Sequence, residues 1–222
     1  MKVTTDACLF GSLLPTSSEG GGVRSVLDIG TGTGLLTLMF AQKNPQAKID
    51  AIEIDKDAAA QAKENVASSA WKERINIINA DVKIFSFVSK YDLIISNPPF
   101  YENELRSDSE RKNVAHHSEN LTLQELLNII KSNLNQNGVF FLLLPYKRNE
   151  EIKKLFKDHQ LHISKKILVR QSIKHDYFRI FLKGELNSQE KETEFDEISI
   201  WDEQQQYTPE FIRLLKDYYL HL

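Results

Sequence analysis

An α/β fold is predicted, with a mostly parallel seven-stranded sheet, helices on both faces and an antiparallel hairpin at the sheet edge. Three observations predict it. Apolar strand runs alternate with helix-periodic segments over most of the chain. The connections between them are short, and a βαβα order of that kind demands a parallel sheet covered by helices. The last third changes character, with two alternating runs in succession that fit a hairpin.

The elements follow in order. "VRSVLDI" from Val23 is a continuous apolar run closed by an acid, as expected of a strand buried on both faces. "GLLTLMFAQKN" from Gly34 has helical spacing and stops at Asn44-Pro45. "AKIDAIEI" from Ala47 is the second strand, and "KDAAAQAKENVASSA" from Lys56 is a helix whose Ala-rich face suits close packing on a sheet. "RINIINAD" from Arg74 and "YDLIISN" from Tyr91 are strands three and four. "LQELLNIIKSNLNQNG" from Leu123 is an amphipathic helix stopped at Gly138, and "VFFLLLP" from Val139 is strand five. "ISKKILVRQ" from Ile163 and "YFRIFLKGE" from Tyr177 supply the hairpin, and "FDEISIWD" from Phe195 alternates as a further strand would. "TPEFIRLLKDYYLHL" is a closing helix with Thr208 as N-cap and Pro209 at the first helical position. A single domain is expected: an N-terminal covering segment over 1–22, a binding core over 23–145, and the sheet edge, extra strand and last helix over 146–222.

Composition bounds the function. With 222 residues, 41% hydrophobic and 27% charged, the chain can bury a full core. Its net charge of −3 makes the whole molecule no polyelectrolyte partner for nucleic acid, but the charge is uneven. Lys147 to Lys183 holds 11 Lys and Arg against 4 Asp and Glu, and Gly184 to Glu203 holds 1 Lys against 8 acids. Such runs are most often solvated faces; the alternative is a basic surface for an acidic partner. One cysteine, Cys8, rules out a disulfide within the chain. Nothing reads as a leader or a membrane span, so a cytoplasmic monomer is the expectation.

"LDIGTGTG" from Leu27 leaves a strand and opens a helix, the setting in which a glycine loop approaches a ligand at the carboxyl ends of the strands. Asp28 stands two residues before Gly30, and Gly32 and Gly34 follow. A carboxylate there suits a cationic ligand end, such as the amino group of a methionine moiety, better than a pyrophosphate. Glu53 ends strand two, where an acid accepts both hydroxyls of a ribose. Asp81 ends strand three, where it could take the amino hydrogens of an adenine while the Val82 N–H donates to the ring. Three acids at consecutive strand ends fit S-adenosyl-L-methionine, with NAD as the competitor. Each acid alone would more often be a cap or a turn residue.

"NPPF" runs from Asn97 to Phe100. Pro98 and Pro99 fix the backbone, and Asn97, preceding a proline, is pushed into an extended conformation. An exocyclic amino group on a base is a poor nucleophile because its lone pair is delocalised. If the Asn97 side-chain oxygen and the Pro98 carbonyl accept its two hydrogens, the lone pair is freed to point at a methyl donor. Phe100 supplies a face on which a planar base stacks. No strong base is required, so positioning and fixed dipoles carry the rate.

These residues resemble the Rossmann-like class I methyltransferases of the amino-modifying kind, which place an Asp, Asn or Ser, two prolines and an aromatic after strand four. "MKVTTDACLFGSLLP", "VLDIGTGTGLLTLMFAQ", "AIEID", "SNPPFYENE" and "YTPEFIRLLKDYYLHL" together resemble the bacterial valine-tRNA adenine-N6 methyltransferase family, essentially end to end. The resemblance implies methyl transfer from S-adenosyl-L-methionine to N6 of adenosine 37, just 3′ of the anticodon. It places Thr5 and Asp6 near the methionine end of the cofactor, Asp28, Gly30, Gly32 and Asn97 along it, and Asn97, Pro98, Pro99 and Phe100 at the target amino group. In the long polar loop from Tyr101, Arg111 and His117 match the family pattern, whereas His116 stands where members carry an arginine. The "MKV" block opens at Met1 here; members usually have a short segment ahead of it. Tyr101, Arg111, His117, Lys147 and Arg148 are the expected RNA contacts, with Lys153, Lys154, Lys165, Lys166 and Arg170 as further phosphate candidates. His116 and His117 have no cysteine or acid cluster beside them, and no metal is expected. The competing readings are another amino acceptor on the same fold (a guanine N2 in rRNA or a protein glutamine), a non-catalytic nucleotide- or RNA-binding module, and an NAD dehydrogenase.

Overall fold

The computed structural model describes residues 4–16, 22–98, 121–186 and 192–221. Its centre is one sheet built from β1 (Ser25–Ile29), β2 (Lys48–Glu53), β3 (Ile75–Asn79), β4 (Tyr91–Ser96), β5 (Leu134–Pro145), β6 (His162–Ser172), β7 (Tyr177–Glu185) and β8 (Glu194–Trp201). The eight strands lie in the order β3-β2-β1-β4-β5-β7-β6-β8. All pairs are parallel except β5–β7 and β6–β7. The order reverses direction at β1, so the crevice above β1 and β4 is the topological switch point.

Two details of the sheet's far end differ from the sequence reading. The strand count is eight, not seven, because Phe195 onward joins as β8. The β6–β7 hairpin is therefore internal, and the parallel strand β8 takes the edge.

Among the described residues six α-helices cover the sheet: α1 (Thr5–Ser12), α2 (Leu35–Lys43), α3 (Lys56–Ala67), α4 (Leu123–Asn133), α5 (Asn149–Asp158) and α6 (Pro209–Leu215). Side chains of α1, α2 and α6, with Val66 of α3, fill the core on one face of the sheet. Leu126, Leu127 and Ile130 of α4 and Ile152 and Phe156 of α5 fill the core on the other. Both faces of β1, β4 and β5 are thus buried, which is why their sequences run apolar without alternation. The opening block forms α1, and it packs closely on α2: a Cβ added at Gly11 would lie 2.5 Å from Met39 Sδ.

Helix ends follow local chemistry. Thr208 accepts from Phe211 N and Pro209 opens α6, as its sequence predicts. A capping box starts α4, with Thr122 Oγ1 accepting from Glu125 N and Glu125 Oε2 accepting from Thr122 N. That helix ends at Asn133, short of Gly138. Leu134 turns extended and pairs with Tyr91, and Asn135 Nδ2 donates to Asp92 Oδ1 at 2.8 Å, so strand contacts claim the chain before the glycine is reached.

Candidate active site

The strand ends set the geometry. Ile29 pairs with Ile52 on one side and Ser96 on the other, and Glu53 pairs with Asn79. Gly30, Glu53, Asn79 and Asn97 therefore stand on one level at the carboxyl edge, each about 4.8 Å from the next strand. Gly30, Gly32 and Gly34 have φ of +71°, +58° and +87°, a region that side chains with a Cβ rarely enter. The loop they form is pinned to β2, because Gly30 N and Thr31 N both donate to Ile52 O at 2.9 and 3.2 Å. Beneath it, Gly34 meets Ala62 of α3, so the small face of that helix packs against the loop.

Asp28 is fully buried. Its Oδ2 accepts from Thr31 Oγ1 and Thr37 Oγ1, both at 2.7 Å. Its Oδ1 is buried with no hydrogen-bond partner among the described residues. Burial pushes its carboxyl up to about 6, the two threonine hydroxyls pull it back, and the charge of Glu53 adds to the rise. A buried carboxylate without a cation is costly, and an orphaned buried oxygen calls for an explanation. A cationic ligand end arriving at Oδ1 supplies one.

Glu53 is also buried, with Oε2 accepting from Gly32 N at 2.8 Å and Oε1 from Asp55 N at 2.9 Å. A carboxylate has about four lone-pair sites, so both oxygens keep capacity for ligand hydroxyls. The backbone donors fix where that capacity points. Asn79 Nδ2 donates to Glu53 O and Ile54 O at 2.9 and 3.2 Å, holding the tip of β2.

Asp81 lies beyond β3 rather than within it. One of its carboxylate oxygens accepts from Lys83 N at 2.9 Å and the other is 3.9 Å from Lys83 Nζ, so it shapes the turn in which Val82 sits half-buried. On β4, Ser96 is buried and its hydroxyl donates to Ile29 O at 2.8 Å, which ties the base of the next segment to β1. Asn97 follows half-buried and Pro98 buried. Pro99, Phe100, Tyr101, Arg111, His116 and His117 lie outside the described residues.

Thr5 is exposed at the start of α1. Asp6 Oδ2 accepts from Arg179 Nε at 2.8 Å, which links α1 to the end of β7 beside Pro145. Lys147 is exposed, and Arg148 bonds Glu151 through Nε at 2.7 Å. Lys153 pairs with Glu150 at 2.8 Å. Lys165 lies 3.7 Å from Glu194, and Arg170 lies 3.2 Å from Glu197. Lys166 is buried and donates to Asn149 Oδ1.

Four residues that the sequence reading passed over belong to this description. Thr31 and Thr37 hold Asp28, and Arg179 holds Asp6. Ile54 is 51% exposed immediately after Glu53, an apolar face turned outward at the strand end. Its signal in sequence was a large apolar residue beyond the acid that closes a strand.

Comparison with known proteins agrees with the geometry. The family model for the methyltransferase small domain matches residues 7–167. A tRNA1(Val) (adenine(37)-N6)-methyltransferase of Yersinia enterocolitica is 36% identical over 100% of the chain and 87% of its own length. One from Flavobacterium johnsoniae is 36% identical over 100% of the chain and 94% of its own length. Among solved structures, a predicted O-methyltransferase of Agrobacterium tumefaciens superposes with a TM-score of 0.72 at 15% identity, covering 95% of each chain. A glycopeptide N-methyltransferase complexed with S-adenosyl-L-methionine superposes with a TM-score of 0.55 at 12% identity, over 77% of this chain and 90% of the other. At those identities the structural likeness speaks to the fold.

Proposed function

The chain belongs to the methyltransferase small domain family, with the tRNA1(Val) (adenine(37)-N6)-methyltransferases as full-length relatives, and from that premise we propose that it methylates N6 of adenine 37 in a valine tRNA. It is an S-adenosyl-L-methionine-dependent methyltransferase. The observation that carries the reading is the shared level of the glycine loop, Glu53 and Asn97, with the orphaned Asp28 oxygen beneath that loop.

The residues fit the cofactor. When bound, it supplies a methyl group on a sulfonium sulfur that leaves as a neutral thioether. Asp28 Oδ1 would accept from its ammonium group. Glu53 would accept from its ribose hydroxyls while Gly32 N and Asp55 N hold the carboxylate in place. Ile54 offers an apolar face to a purine, and Asp81 and Val82 stand at the next strand end for its amino group and ring nitrogen. Thr5 and Asp6 close the methionine side through α1.

The acceptor side follows from Asn97. Its side-chain oxygen and the Pro98 carbonyl would take the two hydrogens of the adenine amino group. That draws the nitrogen toward a tetrahedral shape and frees its lone pair for the methyl carbon. The nitrogen would take the methyl carbon as the cofactor's sulfur releases it, and the acidic ammonium product would give its proton to water. Positioning and fixed dipoles suffice for such a step. Pro99 and Phe100 are proposed to stiffen the segment and to stack the base; Tyr101, Arg111, His117, Lys147 and Arg148 are proposed RNA contacts. Among the described residues no group of three or more His, Cys, Asp or Glu is placed to hold a metal, and no helix is long and apolar enough to cross a membrane.

The test is nucleoside mass spectrometry of unmodified valine tRNA incubated with the protein and isotope-labelled S-adenosyl-L-methionine. Labelled N6-methyladenosine at position 37 is expected. Labelled methylguanosine, or label transferred to protein glutamine alone, overturns the acceptor.

A further inference from the structure

Beyond β4, the carboxyl edge carries an aromatic pair with no role in the reaction as derived above. Tyr146 follows β5 directly, and Tyr177 opens β7; their ring centroids are 5.3 Å apart at 53°, and both side chains are half-buried. Arg170 sits over the Tyr177 ring with its guanidinium carbon 5.3 Å from the centroid. That guanidinium is not spare: Nε donates to Ser199 Oγ at 2.9 Å and Nη2 lies 3.2 Å from Glu197 Oε2. A hydrogen bond to the same Glu197 is the main cause that raises the Tyr177 phenol. Arg170 therefore has little left for a phosphate. It acts as a brace, holding one tyrosine ring in place through a cation–π contact.

The position matters more than the composition. Ser96 pairs with Leu142, so Pro98 stands level with Leu144, and Tyr146 comes two residues further along the strand direction. Tyr146 thus rises about 7 Å beyond the Pro98 level and one strand spacing, about 4.8 Å, to its side, and Tyr177 on β7 stands one spacing further out. No apolar core residue of β5 lies above it. Tyr146 rests one side on the core beneath α4 and α5, but the pair stands at the carboxyl rim, in segments where Lys147, Lys174 and His175 are exposed.

Resting on the tRNA reading above, we propose that Tyr146 and Tyr177, braced by Arg170, form a second stacking platform, for a nucleobase that neighbours the target adenine. An adenine can present its amino group to Asn97 only after leaving the stack of its loop, which costs its neighbour a stacking partner. An aromatic pair whose nearer backbone position lies about 8 Å away offsets that loss, and single-stranded RNA is held in this way without regard to base identity. The platform selects an unstacked loop over a helix, a kind of specificity that cation contacts cannot provide.

The experiment is steady-state methylation of unmodified valine tRNA by the wild type and by Tyr146→Leu, Tyr177→Leu and the corresponding Tyr→Phe variants. Each Leu variant is expected to raise KM for tRNA about 5- to 50-fold, with kcat and the affinity for S-adenosyl-L-methionine within about twofold of wild type. The Phe variants keep the ring and are expected to stay near wild type. Leu variants with unchanged KM, or Phe variants as impaired as Leu, overturn the proposal. A readout that needs no variant is photo-crosslinking of the wild-type protein to valine tRNA carrying 4-thiouridine next to the target adenine. Adducts on the peptides bearing Tyr146 or Tyr177 are expected, and adducts only elsewhere overturn it. A wild type that methylates valine tRNA while the Leu variants are unaffected sinks this platform alone; a wild type that methylates no tRNA sinks the acceptor reading with it.

Discussion

Carboxylates at the two ends of the sheet are treated in opposite ways. Beneath the glycine loop, Asp28 and Glu53 are buried, their partners are hydroxyls and backbone N–H groups, and one oxygen of Asp28 has none among the described residues. Along β8, Glu194 and Glu197 are exposed and face Lys165 and Arg170 across a parallel strand pair. The acidic and basic runs that the sequence separates thus fall partly side by side, with Lys165 and Arg170 paired to Glu194, Asp196 and Glu197. The difference teaches where to look for ligands: a matched surface pair contributes little either way, whereas a buried acid without a cation is retained where a ligand brings one.

The sharpest way to test the reactive end is at the residue proposed to touch the acceptor. Asn97→Ala removes one of the two acceptors proposed for the adenine amino group. Loss of a single preorganised dipole of this kind costs about 10²–10³-fold in kcat. Calorimetric titration of S-adenosyl-L-methionine should give nearly wild-type affinity, since Asp28 and Glu53 are untouched. Equal loss of binding and turnover would give more weight to the place along the cofactor that the family resemblance also implies for Asn97.

Asp28→Asn tests the orphaned oxygen, and pH supplies the sign. The folded-state value of about 6 lies above the unfolded 3.8, so the stability linked to this carboxyl is present in full below 3.8 and is lost as pH rises through about 6. Asparagine carries no such penalty and can still accept from Thr31 and Thr37. Without ligand, the variant should match the wild type near pH 4 and exceed it at pH 8, by up to about 3 kcal/mol. With S-adenosyl-L-methionine present the order should reverse, because the variant cannot meet an ammonium; a rise of about 10- to 100-fold in Kd is expected. Wild-type affinity should climb as pH passes through 6. Thermal melts at the two pH values, with and without ligand, check both signs.

Glu53→Gln should act on the same site more mildly. Gln keeps one acceptor for Gly32 N or Asp55 N but not both, and it offers a ribose one carbonyl in place of a carboxylate. About a 10-fold rise in Kd for the cofactor is expected, with kcat at saturation little changed. A fall in kcat instead would mean that the glycine loop, and not only the ribose, depends on this acid.

The legible parts of the molecule were those where one residue type alone can do the work. Gly30, Gly32 and Gly34 are readable because the left-handed backbone there excludes almost anything else, and β1, β4 and β5 because burial on both faces leaves only apolar runs. Thr31 and Thr37 were not readable. One sits in a loop and one in an apolar helix, and only the fold brings both hydroxyls to Asp28. The same holds for Arg179 and Asp6, 173 positions apart. Lys165 and Lys166 show a signal left unused: neighbours on a strand point to opposite faces, so one of the two had to turn inward, and Lys166 did. The early end of α4 was hidden for another reason, since tertiary pairing of Leu134 with Tyr91 overrides a helix-competent sequence.

The mildest change should come from the matched end. Lys165 lies 3.7 Å from Glu194 and 4.0 Å from Asp196, with side chains 37%, 74% and 50% exposed. Lys165→Gln removes one cation from that group and leaves the backbone ladder between β6 and β8 intact. Exposed pairs of this geometry contribute about 0–1 kcal/mol, less in salt, so the melting temperature should move by no more than a few degrees. If β6 carried RNA phosphates through this residue, KM for tRNA would rise and the salt dependence of binding would become shallower by about one counterion. A flat result on both measures fits a lysine already matched by β8. A rise in KM would show that the acidic strand yields its partner to RNA, and would return the basic run to the substrate surface.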